Sequence, residues 1–369
     1  MSMKIGVPRE VREGESCVSL TPVGVRRLVS MGHRVSVERG AGERVGFPDQ
    51  SYIEAGAQLV YSPEEVYWRS DLITKVERPT FDEFKLFQDN TTLVSFLQLA
   101  AARPSRIEAM LEKQITAIAL ETIETDAGEL PVIHAMSQIG GRMTPGVAAR
   151  FLDIGNGGSG VLISGVPGVP PAEVVIIGAG MFGQETALAF AHAGARVYVL
   201  DRDVKPLTEM EQRAGRGSIT TMLAHPETIA QVVTVADVVI TAASTPGKRA
   251  PLLITEPMVR TMRPGSLIMD VSITQGGCVE TSRPTTLRDP VFTYADITHY
   301  CVPNIPAAVA RTTTKALANS TWPIIEMIAE MGIDETIEQN RAIARGVWTH
   351  RGELVQQSVS PDSDMSKAQ

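Results

Sequence analysis

Cysteine is scarce in this 369-residue chain: Cys17, Cys278 and Cys301 are the only three, and none forms a CxxC spacing. So odd and sparse a set excludes a disulfide framework, offers no zinc site and fits a reducing cytoplasm. Positive charge is in deficit, with 34 Lys plus Arg against 42 Asp plus Glu, a formal charge of −8, and no basic block. That argues against a nucleic-acid partner. Long hydrophobic runs are missing too. The most apolar stretches, around residues 173–183 and 235–243, are interrupted by Gly, Asp or Thr, far short of the roughly 20 residues that cross a bilayer. Residues 1–8 lack the charged n-region and long h-region of a signal peptide, so the expectation is a soluble, cytoplasmic protein without a membrane partner.

What is present is apolar mass. At 43% hydrophobic residues the chain can fill two cores, and two domains follow from its length at roughly 150 residues each. Up to residue 131, β-rich runs at 33–38, 71–76, 92–98 and 115–120 alternate with helical patterns, one opened by Thr21 and Pro22 and another at 104–113. Residues 134–152 read as a long helix weakened by Gly140, Gly141 and Pro145, and the densest Gly/Pro stretch follows at 155–171. Strands at 174–177, 196–200, 236–243, 266–271 and 291–294 then alternate with helices, and helical pattern returns over 312–343. The expected division is a first domain of residues 1–131 plus 310–355, a second of 132–309, and a polar, disordered tail at 356–369. Strands alternating with helices predict an α/β fold with doubly wound, mainly parallel sheets.

The strongest local pattern is Gly178, Gly180 and Gly183 in G-A-G-M-F-G. It follows an apolar strand, opens a helix, and is succeeded by a second strand ending at Asp201. A lone GxGxxG is weak, but strand, glycines, helix, strand and acid in order form a dinucleotide fingerprint. Gly178 permits the turn, Gly180 the approach of a pyrophosphate and Gly183 the packing of helix on strand. The N–H groups at Met181 and Phe182 open the helix toward the phosphates. Asp201 suits the ribose hydroxyls and disfavours a 2′-phosphate, so the expected cofactor is NAD, a preference that the adjacent Arg202 softens. The alternative is a glycine turn that binds nothing.

Several longer stretches resemble one family. They are residues 4–10 (KIGVPRE), 20–22 (LTP), 40–42 (GAG), 163–171 (ISGVPGVPP), 275–278 (QGGC) and 299–306 (HYCVPNIP). Together they resemble bacterial alanine dehydrogenases and, less fully, the transhydrogenase α-subunits. The resemblance implies two Rossmann-like domains with an active-site cleft between them, a small-molecule substrate and a homo-oligomer, a hexamer by family. It also implies cofactor contacts at Ser137, Ala243, Ser244 and Asn304. Ser137 as a plain helix residue and Asn304 as a turn former remain the competing readings.

Oxidative deamination of alanine needs cations for the carboxylate, an acid/base group poised near neutral pH, and the nicotinamide against Cα. The resemblance implies an Arg, a Lys (in K-V-K-E-P), a His and an Asp for this work. At those positions stand Cys17, Glu77, Gln98 and Thr274. Ionised Arg, Lys and Asp would leave the pocket at +1, whereas Glu77 leaves it at −1. One unit pair at about 4 Å in a partly shielded site is worth on the order of 4 kcal/mol, so carboxylate attraction is expected to become repulsion. A neutral or cationic substrate such as an amine or imine, or a modified amino acid, suits the altered pocket.

Lys75 lies two residues before Glu77, and strand periodicity puts both on one face, where Lys75 can neutralise Glu77 or reach the ligand; Arg78 should point away. A buried Glu77 is a candidate acid or base. Cys17 reads as a packing residue more than a nucleophile, while Gln98 and Thr274 offer hydrogen bonds without proton transfer at neutral pH. Three functions stay open: an NAD-dependent oxidoreductase with a changed substrate, a non-catalytic NAD-binding protein, and an alanine dehydrogenase with rewired anchors.

Overall fold

The computed structural model describes residues 2–98, 104–215, 217–243 and 249–355. The expected tail at 356–369 and Ser244 lie outside the described residues. The chain divides into two compact units, one of Met1–Ala135 with Val309–Gln369, the other of Met136–Ala308.

In chain order, β1 (Lys4–Val7), β2 (Arg34–Glu38), β3 (Gln58–Val60), β4 (Leu72–Thr74), β5 (Thr92–Ser95) and β6 (Thr116–Ala119) belong to the first unit. The second holds β7 (Glu173–Ile177), β8 (Arg196–Asp201), β9 (Thr220–Leu223), β10 (Val238–Thr241), β11 (Leu267–Asp270), β12 (Val291–Tyr294) and β13 (Ile297–Tyr300). Then β14 (Val347–His350) and β15 (Glu353–Leu354) return to the first. Its eight-stranded sheet runs β15-β14-β6-β5-β4-β1-β2-β3, and the seven-stranded sheet runs β12-β13-β11-β10-β7-β8-β9. Each contains the order 3-2-1-4-5 of a doubly wound fold, with parallel pairing through that core. The antiparallel pairs are β14 with β6 and β15, and β12 with β13.

Alternation along the strands explains why both faces of the second sheet are covered. On β7, Val174 and Ile176 enter one apolar cluster with Val199 and Phe190, while Val175 and Ile177 enter another with Ile229 and Ile268. A parallel sheet buried on both sides needs such continuous apolar strands. In the first unit Ile73, Leu93 and Ala117 pack with Phe84, Phe87 and Trp348.

Helix starts follow local chemistry. Thr21 caps the helix Pro22–Ser30, accepting from Gly24 N–H at 3.3 Å. Thr80 and Glu83 form a reciprocal capping box on the helix Phe81–Leu86. The long helix runs Pro131–Leu152 with Pro145 inside it.

Candidate functional site

In open α/β sheets a ligand is expected beyond the carboxyl ends of the strands where the strand order reverses. In the second unit that point lies between β7 and β10. Gly178 there has φ +112°, and a Cβ on it would stand 2.6 Å from the Ala242 carbonyl. A Cβ on Gly183 would stand 1.8 Å from the Gly178 oxygen, so the helix Met181–His192 lies on the strand only because that atom is absent. Gly180 differs, because a Cβ there would meet nothing within 4 Å. Open space at the N-cap of a twelve-residue helix is the cradle a pyrophosphate requires.

The loop is clamped from two sides. Asp201 Oδ2 accepts the Ala179 N–H at 2.7 Å, and Gln184 donates to the Ala179 carbonyl at 3.0 Å. Gln184 is tied to Arg213, which also pairs with Glu185 at 2.6 Å, and Glu185 reaches Arg142 at 2.9 Å. These two arginines hold the Glu185 carboxyl below the usual carboxylate range despite its burial. Met181 is half-buried at the helix start, and the Phe182 ring packs on Gly140. Arg202 is 82% exposed and pairs with Asp203 at 3.2 Å.

Beyond β10 the Ala243 carbonyl accepts both Ser272 Oγ at 2.9 Å and Cys278 Sγ at 3.3 Å. Buried Asp270 accepts from Thr241 and from the Cys278 N–H, which fixes the turn that carries half-buried Thr274. Ser137 and Asn304 are half-buried. Among the described residues no group of three or more His, Cys, Asp or Glu is arranged to hold a metal.

In the first unit the corresponding point lies between β1 and β4, and residues following β1, β4, β5 and β6 meet there. Cys17 is 1% exposed, its Sγ 3.8 Å from the Ala310 carbonyl. Burial first, then the Glu15 carboxylate, push its thiol far up, which suits the packing role and disfavours a nucleophile. Glu15 accepts the N–H groups of Ser16 and Cys17 at 2.7 and 2.6 Å. Glu77 is half-buried; burial first and Glu15 second raise its pKa, against the pull of Arg78 and Arg12.

Two expectations require correction. Lys75 neither neutralises Glu77 nor faces a ligand. It is 1% exposed, and its ammonium is paired with Glu83 at 2.7 Å and Glu10 at 3.1 Å. The reason is that β4 ends at Thr74, so strand periodicity does not carry through to Glu77. For the same reason Arg78 does not point away. Its Nη1 donates to Gln98 Oε1, and Arg12 Nε donates to the Arg78 carbonyl at 2.9 Å.

Gln98 itself has φ +50°, held by Glu121, whose two oxygens accept the N–H groups of Gln98 at 2.5 Å and Leu97 at 3.1 Å. Burial pushes the Glu121 carboxyl up to about 6. Glu15 and Glu121 were not among the residues marked from sequence, and Arg78 was expected to point away. Arg78 left a trace, since K-V-K-E-P of the resembling family reads K-V-E-R-P here, with the two charges exchanged; Glu121 left none.

The model of the alanine dehydrogenase/PNT N-terminal domain matches residues 6–140, and that of the C-terminal domain matches 144–357. The chain belongs to the alanine dehydrogenase/PNT family. It is 40% identical to an alanine dehydrogenase of Methanococcus maripaludis over 98% of this chain and 97% of that one. It is likewise 40% identical to one of Bacillus subtilis, over 98% and 94%. A solved L-alanine dehydrogenase superposes with a TM-score of 0.90 at 41% identity, covering 96% of this chain and 98% of that one. A transhydrogenase of Sinorhizobium meliloti shares the fold, with a TM-score of 0.79 at 23% identity, over 96% and 100%. This member of the family is an NAD-dependent oxidoreductase, and the open space at Gly180, the clamped loop and Asp201 fit NAD. Among the described residues no helix is long and apolar enough to cross a membrane.

Proposed function

We propose that the chain catalyses NAD-dependent oxidation and reduction at the carbon–nitrogen bond of an amine, imine or modified amino acid rather than of L-alanine and pyruvate. The observation that carries this reading is Glu77. A half-buried carboxylate, raised in pKa by burial and by Glu15, stands where the family resemblance implies an ammonium. Cys17, in place of the family's Arg, is turned to the Ala310 carbonyl and offers no charge. An α-carboxylate brought to these two positions meets repulsion, whereas a protonated amine meets a counter-ion.

When bound, NAD accepts or returns the hydride that changes the oxidation state of the substrate carbon. Glu77, its pKa raised by burial and by Glu15, takes and gives the amine proton, work that the Gln98 amide cannot do. The expected outcome of an NADH assay on the purified chain is turnover with a member of an amine and imine panel, lost on Glu77→Gln. L-Alanine, or pyruvate with ammonia, should stay at background. An active substrate indifferent to that change removes Glu77 from the mechanism.

One observation favours a second reading. Because Arg78 turns to Gln98, a cation does reach this region from the neighbouring position, and an alanine dehydrogenase with rewired anchors would use it. Robust L-alanine turnover that depends on Arg78 selects that reading.

A further inference from the structure

We propose that Glu10 is a positioning residue for Glu77, its carboxylate holding the backbone one residue ahead of Glu77 and loosening that hold when it takes up a proton. The inference rests on the reaction proposed above for what Glu77 does, but on other atoms for how Glu77 is held.

The first observation is how the chain is tied once β4 has ended. The Lys75 N–H donates to the Val94 carbonyl and the Phe96 N–H donates to the Val76 carbonyl, both at 3.0 Å, which fixes the side toward β5. β1 ends at Val7, and the Val76 N–H goes instead to Glu10 Oε1 at 2.7 Å. On the far side of Glu77, Arg12 donates to the carbonyls of Arg78 and Pro79 at 2.9 and 3.3 Å. Glu77 is thus bracketed by two side chains of one loop, and of these only the carboxylate can lose its charge near neutral pH.

The second observation is a surplus of buried carboxylates. The Glu10 side chain is 3% exposed. Around it and its partner Lys75 are Glu83 from the helix Phe81–Leu86, Tyr67 from the helix Pro63–Trp68, Glu38 from β2, and Arg9, Glu15 and Cys17 from its own loop. With all of them ionised, the three buried carboxylates Glu10, Glu38 and Glu83 against the one ammonium of Lys75 would leave −2, a surplus that a proton relieves. Lys75 donates to Glu83 Oε1 at 2.7 Å and, despite burial, holds that carboxyl below its ordinary value. Glu10 Oε2 lies 3.1 Å from Lys75 Nζ yet accepts no hydrogen bond among the described residues, so it is the oxygen open to a proton. Burial, opposed by Lys75 and by the Val76 N–H, pushes the Glu10 carboxyl up to about 7. A neutral carboxyl accepts roughly half as strongly as a carboxylate, so the tie on Val76 slackens as the proton binds.

The test follows hydrogen exchange of the Val76 amide in the full chain by residue-resolved mass spectrometry from about pH 5 to 9, corrected for the intrinsic pH dependence of exchange. In the parent, protection should rise about five-fold as pH passes 7. Glu10→Gln keeps an oxygen for the Val76 N–H but no ionisable group, so its protection should not vary with pH, while Glu10→Ala should lose protection throughout. Turnover of the active amine should carry the same step on top of the Glu77 ionisation, and Glu10→Gln should remove that step with NADH affinity unchanged, which a merely structural residue would not do. Parent protection indifferent to pH, or an unchanged step in Glu10→Gln, overturns the proposal, as does full protection in Glu10→Ala. If Glu10→Ala does not fold, the parent and Glu10→Gln decide between them. If no amine turns over, the exchange data still decide the role of Glu10, and only the reaction assigned above fails.

Discussion

A single buried ammonium shows how much of the first unit is held by charge. Lys75 is paired to Glu10 and Glu83, and Glu83 also accepts Tyr67 Oη at 2.9 Å and caps the helix at Thr80. Burial alone would lower the Lys75 pKa, but the two carboxylates raise it above its ordinary value. Lys75→Met leaves both carboxylates buried and uncompensated and should cost about 3–5 kcal/mol, read as a lower urea midpoint at unchanged slope. Glu121 makes a pH-dependent contribution. Its folded pKa of about 6 exceeds the ordinary 4.5 because of burial, so the folded state keeps a proton that the unfolded state has lost. The stabilisation it brings is therefore full below about pH 4.5 and is lost as pH rises through 6. Glu121→Gln should flatten that part of the stability curve in melts recorded from pH 4 to 8, and an unchanged slope would place the titration elsewhere.

At the scale of elements, the glycine loop separates packing from binding. Gly183→Ala drives a methyl group into the Gly178 carbonyl, which should cost about 1–3 kcal/mol and weaken NADH binding as the helix is displaced. Gly180→Ala meets nothing in the protein, so melting should hold while NADH affinity falls. If both variants melt alike and bind alike, the open space at Gly180 is not the phosphate cradle. This loop was legible because its constraints are local: strand, turn and helix lie within one short run of sequence. The first-unit site was less so. Its residues follow four strands, and the end of β4 at Thr74, which decides where Lys75, Glu77 and Arg78 point, depends on pairing with β1 and β5 rather than on local pattern. β14 was hidden for a similar reason, since Val347 pairs with Ile118 from far away in the chain.

Across the whole molecule, two sheets of the same winding carry two different chemistries. One unit keeps a complete cofactor loop. The other holds Cys17, Glu77 and Gln98 at three positions where the resemblance implies Arg, Lys and His, with the charges at residues 77 and 78 exchanged against the K-V-K-E-P pattern. Thr274, at the position where the resemblance implies an Asp, belongs to the cofactor unit. The consequence is that cofactor affinity and turnover should separate under mutation: Glu77→Gln should abolish turnover of the active amine while leaving NADH affinity as it is. The most direct measurement of the account is initial-rate NADH formation by the purified chain with L-alanine and with a panel of other amines and amino acids. The account predicts turnover with a panel member and none above background with L-alanine. L-Alanine oxidation at a rate ordinary for an enzyme, roughly 1–1,000 per second, would contradict it.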